Sequence, residues 1–149
     1  MAKFKIEGMK ELEKSMKKLG EVPQKCVTPA ARKGMNISLK SAKAKAPIED
    51  GYLKNGMKLI GEKSKFKGKK VYRVVFDRDK NDIFQKKNSK GEITGYYPIS
   101  QEYGFFARNG RYIPGFHFIE KSLTENAGSI EKKIVAEMAK NIDKVLGGK

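Results

Sequence analysis

Cysteine is almost absent. Cys26 stands alone in 149 residues, which excludes an internal disulfide framework and fits a reducing compartment. Histidine is as scarce, with His117 the only one. A catalytic or metal role for it needs Asp, Glu or Cys partners at fitting spacing. Its neighbours are Phe116 and Phe118, so it reads as structural or exposed, opposite both rings if the stretch is extended. Cys26 has no nearby His and no nucleophile motif, so it reads as a passive helix residue. No apolar run approaches the ~20 residues of a membrane span. Met1 to Lys10 lacks the apolar core of a signal peptide, so assembly in a cytoplasm is expected. Gly104, Gly110 and Gly115 do not make a phosphate-binding fingerprint, and no P-loop context occurs. There is no internal repeat and no low-complexity tract. Neither a cofactor nor a metal is expected.

Acid is also in short supply. Seventeen Asp and Glu face 33 Lys and Arg, a net charge of +16. Such an excess speaks to partners rather than fold: nucleic acid, an acidic protein surface or an anionic membrane. The carboxylates that exist favour bland roles. Glu49-Asp50 sits at a turn, where Asp supports backbone hydrogen bonds.

The length predicts one domain over 1–149, large enough for a modest core. Phe4 and Ile6 alternate with charged residues as a short strand. Met9, Leu12, Met16 and Leu19 then step as an amphipathic helix that ends at Gly20. Pro23 opens a second helix carrying Val27, Ala30, Ala31, Gly34, Met35, Ile37, Leu39, Ala42 and Ala46. Pro29 either kinks it or sits in the first turn of a fresh start capped by Thr28. Pro47 stops it. Residues 57–61 and 71–76 alternate as two strands joined by a basic turn, a hairpin. Residues 77–95 are polar with turn signals, predicting a long polar loop or a second, exposed hairpin. Ile119, Leu123, Ala127, Ile130, Ile134, Met138, Ile142 and Val145 form the clearest stripe, a core-facing helix and a principal source of stability. Gly128-Ser129 is its expected break, with Ser129 as the second cap. The expected fold is α+β: two N-terminal helices and a C-terminal helix packed on a small, mostly antiparallel β-sheet.

Two short segments stand out. Ala44-Lys45-Ala46-Pro47 ends a helix and leads through Asp50-Gly51-Tyr52-Leu53. About fifty residues later comes Tyr96-Tyr97-Pro98-Ile99-Ser100-Gln101-Glu102-Tyr103-Gly104, then a basic loop and Pro114-Gly115-Phe116-His117-Phe118-Ile119-Glu120-Lys121-Ser122-Leu123. In order and spacing, over residues 4 to 145, these resemble the minor tail component, or tail-completion, family of tailed bacteriophages. That family reads as a helix ending K-x-x-A-P, a T/D-G-x-L turn, strands, an aromatic stretch ending E-[YF]-G, then P-x-x-F-[LI]-x-x-[SA]-L into a C-terminal helix. Ile48-Glu49-Asp50 replaces the commoner short polar turn, and 77–95 is longer than the pattern.

The resemblance implies a virion structural protein of the neck or head-proximal tail end, assembled in the host cytoplasm and not an enzyme. It implies a homo-oligomeric ring, six-fold by family custom, that completes the tail and meets the head connector and tail-tube proteins. Non-specific contact with the passing duplex DNA is expected, and no membrane partner. Glu102 reads as an exposed acid at a strand end or as a partner for a neighbour's Arg or Lys. With Tyr103 it joins Phe105, Phe106, Arg108, Arg111 and Tyr112 as the expected subunit or partner interface, because Arg with aromatics is the composition of interface hot spots. Lys63, Lys65, Lys67, Lys69, Lys70, Lys86 and Lys87 lie on predicted turns. They form either a solvated basic tip or a contact for phosphates or an acidic protein. The alternative function is a basic, non-enzymatic nucleic-acid-binding module. A third, a toxin-like or regulatory enzyme of a mobile element, finds no active-site constellation.

Overall fold

The computed structural model describes residues 9–66 and 68–147, with side chains described from Gly20 onward except that of Val22. The expected strand at Phe4 and Ile6, the side chains of the Met9–Leu19 stripe, and Lys67 lie outside the described residues. The order is α1 (Met9–Lys45), α2 (Tyr52–Gly56), β1 (Met57–Gly61), β2 (Tyr72–Phe76), a 3-10 turn (Arg78–Lys80), α3 (Asn81–Phe84), β3 (Gln85–Lys87) and β4 (Ile93–Tyr96). It continues with α4 (Tyr97–Tyr103), β5 (Gly104–Phe106), β6 (Tyr112–Pro114), α5 (Phe118–Thr124) and α6 (Ala127–Leu146). Helices and antiparallel strand pairs are mixed along the chain, as an α+β arrangement requires.

In place of two N-terminal helices, α1 runs unbroken through Gly20, Pro23 and Pro29. Each proline removes one intrahelical hydrogen bond, yet tertiary ties hold the segment around Pro29. The Asn141 amide donates to the carbonyl of Cys26 at 3.2 Å and the Tyr72 hydroxyl to that of Thr28 at 3.2 Å. Along one face of α1 the buried positions step by four, Cys26, Ala30, Gly34, Ser38 and Ala42, and Ala46 continues the step just past the helix end, with Ala31 buried beside them. All are small, so neighbouring helices approach closely. A Cβ on Gly34 would stand 2.4 Å from Cγ1 of Ile134. The Ser38 and Ser122 hydroxyls share a buried hydrogen bond of 2.9 Å, and the Asn126 amide donates to Ser41 Oγ at 3.0 Å.

The expected single sheet is instead three separate two-stranded ladders, β1–β2, β3–β4 and β5–β6, all antiparallel. Isolated hairpins are marginal in water, so each depends on what it packs against. For the first two that support is an aromatic core. Phe84 and Phe118 are fully buried and share a cluster with Ala42, Ala46, Leu53 and Met57. Phe76 meets both rings edge-on, at centroid distances of 5.5 and 6.4 Å, and Tyr96 meets Phe84 at 6.1 Å. Edge-to-face pairs add to burial, which stabilises by about 1.5–3 kcal/mol for each such side chain.

This relocates the expected centre of stability. The C-terminal stripe breaks at Glu125-Asn126, not at Gly128-Ser129, giving α5 and α6. Ile130 is buried and Ile134, Met138 and Ile142 are half-buried against α1, but Leu123 and Ala127 are exposed. They line an open apolar groove with Met35, Ile130 and Ile134. The 77–95 segment is no plain polar loop either. It contains the second hairpin, with its bulge at Lys86/Lys87, and it also delivers Phe84 to the core.

Candidate assembly surface

The E-Y-G segment is helical. Pro98 lies in the first turn of α4, where a missing N–H costs nothing. Glu102 is carried on the last turn and is only 4% exposed. Its carboxylate accepts hydrogen bonds from the backbone N–H of Ile119 at 2.9 Å and of Glu120 at 3.0 Å. These belong to the open first turn of α5, whose donors have no partner within the helix. His117, at the N-cap in a left-handed conformation (φ 51°), cannot fill that role. Its ring pairs with the Glu120 carboxylate at 3.0 Å instead. Glu102 is therefore no exposed strand-end acid, and both its oxygens are engaged within its own chain. It caps a helix from a distance.

The glycines of the two motifs follow from the same joint. The N–H groups of Phe116 and His117 donate to the carbonyls of Gln101 and Glu102 at 2.8 and 3.0 Å. This brings the two segments so close that a Cβ on Gly115 would lie 2.2 Å from the Glu102 carbonyl oxygen. Gly104 turns with φ +91°, and a Cβ there would lie 2.4 Å from the Ile113 carbonyl oxygen. Backbone cannot yield as a flexible side chain can, so both positions require glycine.

From this clamp the β5–β6 hairpin projects. Gly104 pairs with Pro114, Phe105 with Ile113 and Phe106 with Tyr112. The Tyr112 hydroxyl donates to the Tyr103 carbonyl at 2.6 Å, and the Phe106 and Tyr112 rings meet at 5.3 Å. A turn at Ala107–Arg111 closes it, with Gly110 at φ +79° and the Arg111 N–H bonded to Asn109 Oδ1. Tyr103, Phe105, Phe106, Tyr112 and Ile113 are all exposed, Phe106 to 75%. Arg108 and Arg111 stand exposed at the tip and make no ion pair among the described residues. Five of the seven expected interface residues thus share one arm, and Glu102 and Tyr103 end the helix from which it springs.

The expected basic surface divides. Lys63, Lys65 and Lys69 are exposed on the β1–β2 connection, which rests on α1 through the Gly68 N–H bond to Gln24 Oε1 at 3.2 Å. Lys70 is half-buried and committed within the chain: it donates to the Glu62 carbonyl at 2.6 Å and lies over the Tyr72 ring. Lys86 and Lys87 are exposed on a different hairpin, at β3.

A second surface escaped the sequence reading. Pro47, Glu49, Asp50, Tyr52, Ile83 and Tyr97 line an open notch of about 290 Å³. The Tyr97 hydroxyl reaches Glu49 Oε2 at 3.4 Å. Burial, then the adjacent Glu49 and Asp50 carboxylates, raise the Tyr97 pKa above its ordinary value, so the hydroxyl stays a donor. Glu49 and Asp50 pair with no Lys or Arg among the described residues, in a chain where bases outnumber acids 33 to 17. The only available signal was the apolar pair Ile83-Phe84 inside a polar stretch.

No cluster of His, Cys, Asp and Glu among the described residues is arranged to hold a metal ion. No helix among them is long and apolar enough to cross a membrane. Compared with protein-family models, with curated proteins and with solved structures, the chain matches none.

Proposed function

We propose that this chain is a non-enzymatic structural protein of a tailed-phage virion. In this reading it forms a ring, six-fold by the family resemblance, at the neck or head-proximal end of the tail, between the head connector and the tail tube. One observation carries the reading: the four motifs behind the resemblance interlock physically. Ala46 and Leu53, from the A-P and G-x-L motifs, share a buried cluster with Phe118 of the F-I-x-x-S-L segment that follows Pro114. Glu102 of the E-Y-G motif caps the helix that Phe118 opens. Motif residues that hold one another leave the intervening arm free for contacts. An exposed aromatic arm, with arginines that make no ion pair among the described residues and with open strand edges, suits protein–protein assembly. The exposed lysines of the other two hairpins suit loose contact with duplex DNA in the ring lumen.

Electron microscopy of the purified full chain tests this. Closed rings with a central opening are expected. Monodisperse monomers that bind duplex DNA would promote the alternative, a basic nucleic-acid-binding module. A DNA competition assay at two salt concentrations separates the two further. Structural contact predicts weak binding without sequence preference that falls steeply with salt, because phosphate neutralisation releases counterions. Selectivity of about a thousandfold or more among unrelated duplexes, the scale of specific DNA binders, would overturn the structural reading.

A further inference from the structure

We propose that the tip of the β5–β6 arm of one copy docks in the Glu49–Asp50 notch of a second copy. The inference rests on the ring reading above and names the two surfaces that would meet.

Charge selects this pairing. Two chains of +16 repel, so a cationic tip needs a negative landing site on an otherwise basic surface. Of the 14 acids whose side chains are described, Glu21, Glu62, Asp77, Glu125 and Glu137 face lysine or arginine and Glu102 caps α5; of the rest, Glu49 and Asp50 are the sequence-adjacent pair, and both line the notch. Glu49 and Asp50 are exposed and without a Lys or Arg partner among the described residues. Arg108 and Arg111 are exposed and without an anion among the same residues. Tyr52 and Tyr97 in the notch add aromatic faces on which a guanidinium stacks.

Apolar exposure points the same way. Among the large apolar side chains described, the two most exposed are Phe106 at 75% and Ile48 at 74%. Phe106 is on the arm, and Ile48 lies between two residues of the notch region, Pro47 and Glu49. One contact would cover both.

Within one copy the structure does not pair the tip with the notch. The notch holds Tyr97, the first residue of α4, and the arm leaves from the last turn of the same helix. Seven helical residues separate the two ends of α4 by roughly 10 Å at about 1.5 Å per residue. No ion pair joins Arg108 or Arg111 to either carboxylate. Tip and notch are different patches of one chain, and in the ring reading each copy offers its tip to one neighbour and its notch to the other, a heterologous contact. Such contacts propagate from copy to copy and close into a ring when the rotation permits.

Cysteine pairs at the contact test this directly. Asn109→Cys and Asp50→Cys are placed together in the full chain, with each single variant as a control; Cys26 is buried and stays in place. Mild oxidation should give a ladder of dimer, trimer and larger species only in the double variant, and thiol should reverse it. Dimers alone, or nothing above the single-variant controls, would overturn the proposal. So would a ladder from Asn109→Cys with Val135→Cys, which sits on the apolar groove of α6, in place of the Asp50 pair. A charge swap gives a second reading. Arg108→Glu with Arg111→Glu, or Glu49→Lys with Asp50→Lys, should each weaken self-association by about tenfold or more, and all four together should restore most of it. Absence of restoration in a folded quadruple variant would count against the contact. Rings in the microscope without these cross-links would remove this docking and leave the ring reading standing. Absence of both would remove both.

Discussion

Between Glu102 and Phe118 the chain builds two surfaces with opposite rules. At the base, Glu102, Gly104, Gly115 and Phe118 are held by short backbone contacts, a distant helix cap and full burial. On the arm, Phe105, Phe106, Arg108, Arg111 and Tyr112 face water, and neither arginine has an ionic partner among the described residues. The base explains why the motif has its residue types, and the arm explains why there is a loop between the motifs at all. A pattern that looks like one functional signature is therefore a structural joint carrying a separate contact element. Substitutions should sort accordingly: base changes act on stability, arm changes act on assembly.

The largest effect should come from Phe118→Ala. It opens a cavity where Phe76 and the Ala42–Leu53 cluster meet and should cost about 3–5 kcal/mol in urea unfolding. A loss under about 1 kcal/mol would mean the aromatic core is not where stability lies. Glu102→Gln comes next. It keeps the shape but turns one accepting oxygen into an NH2 donor, so one of the two hydrogen bonds to α5 is lost and the other loses its charge; a loss of about 1–3 kcal/mol is expected. The folded fraction should assemble as the parent does. Normal stability with failed assembly would move Glu102 back to the interface.

A smaller effect should appear at acid pH. Hydrogen bonds from Lys33, then Lys133, lower the Glu137 pKa from 4.5 to about 2. A carboxylate depressed on folding contributes stability that is full above pH 4.5 and is lost as pH falls toward 2. Thermal melts of Glu137→Gln should lie below the parent at neutral pH and converge with it through that window. A constant gap down to pH 2 would show that the link between α1 and α6 is not ionic. The smallest effect on stability should come from the arm. Phe105→Ala with Phe106→Ala should change it by no more than about 0.5 kcal/mol, as exposed sites do.

Legibility in the sequence followed the strength of local patterning. The β1–β2 hairpin was readable because Met57, Leu59, Val74 and Phe76 alternate at period two. The arm was readable because bulky aromatics beside arginines stood between glycines and prolines. The continuity of α1 was not: Gly20, Pro23 and Pro29 are local stop signals, and the ties from Asn141 and Tyr72 that oppose them come from distant residues. The α1 core face was also obscured, because Cys26, Gly34 and Ser38 are small rather than strongly apolar. Phe84 was hidden in a polar stretch, and its value depends on Phe76 and Tyr96 arriving from two different hairpins. Glu102 was misjudged because a long-range cap has no fixed spacing, unlike a local capping box.

The most direct test of the account pairs two measurements on the Phe105→Ala, Phe106→Ala variant: a circular-dichroism melt and the particle mass in solution. The account predicts a melt that overlays the parent and a shift from ring-sized particles to monomers or short oligomers. Ring-sized particles in unchanged yield, from a variant folded as the parent is, would contradict it.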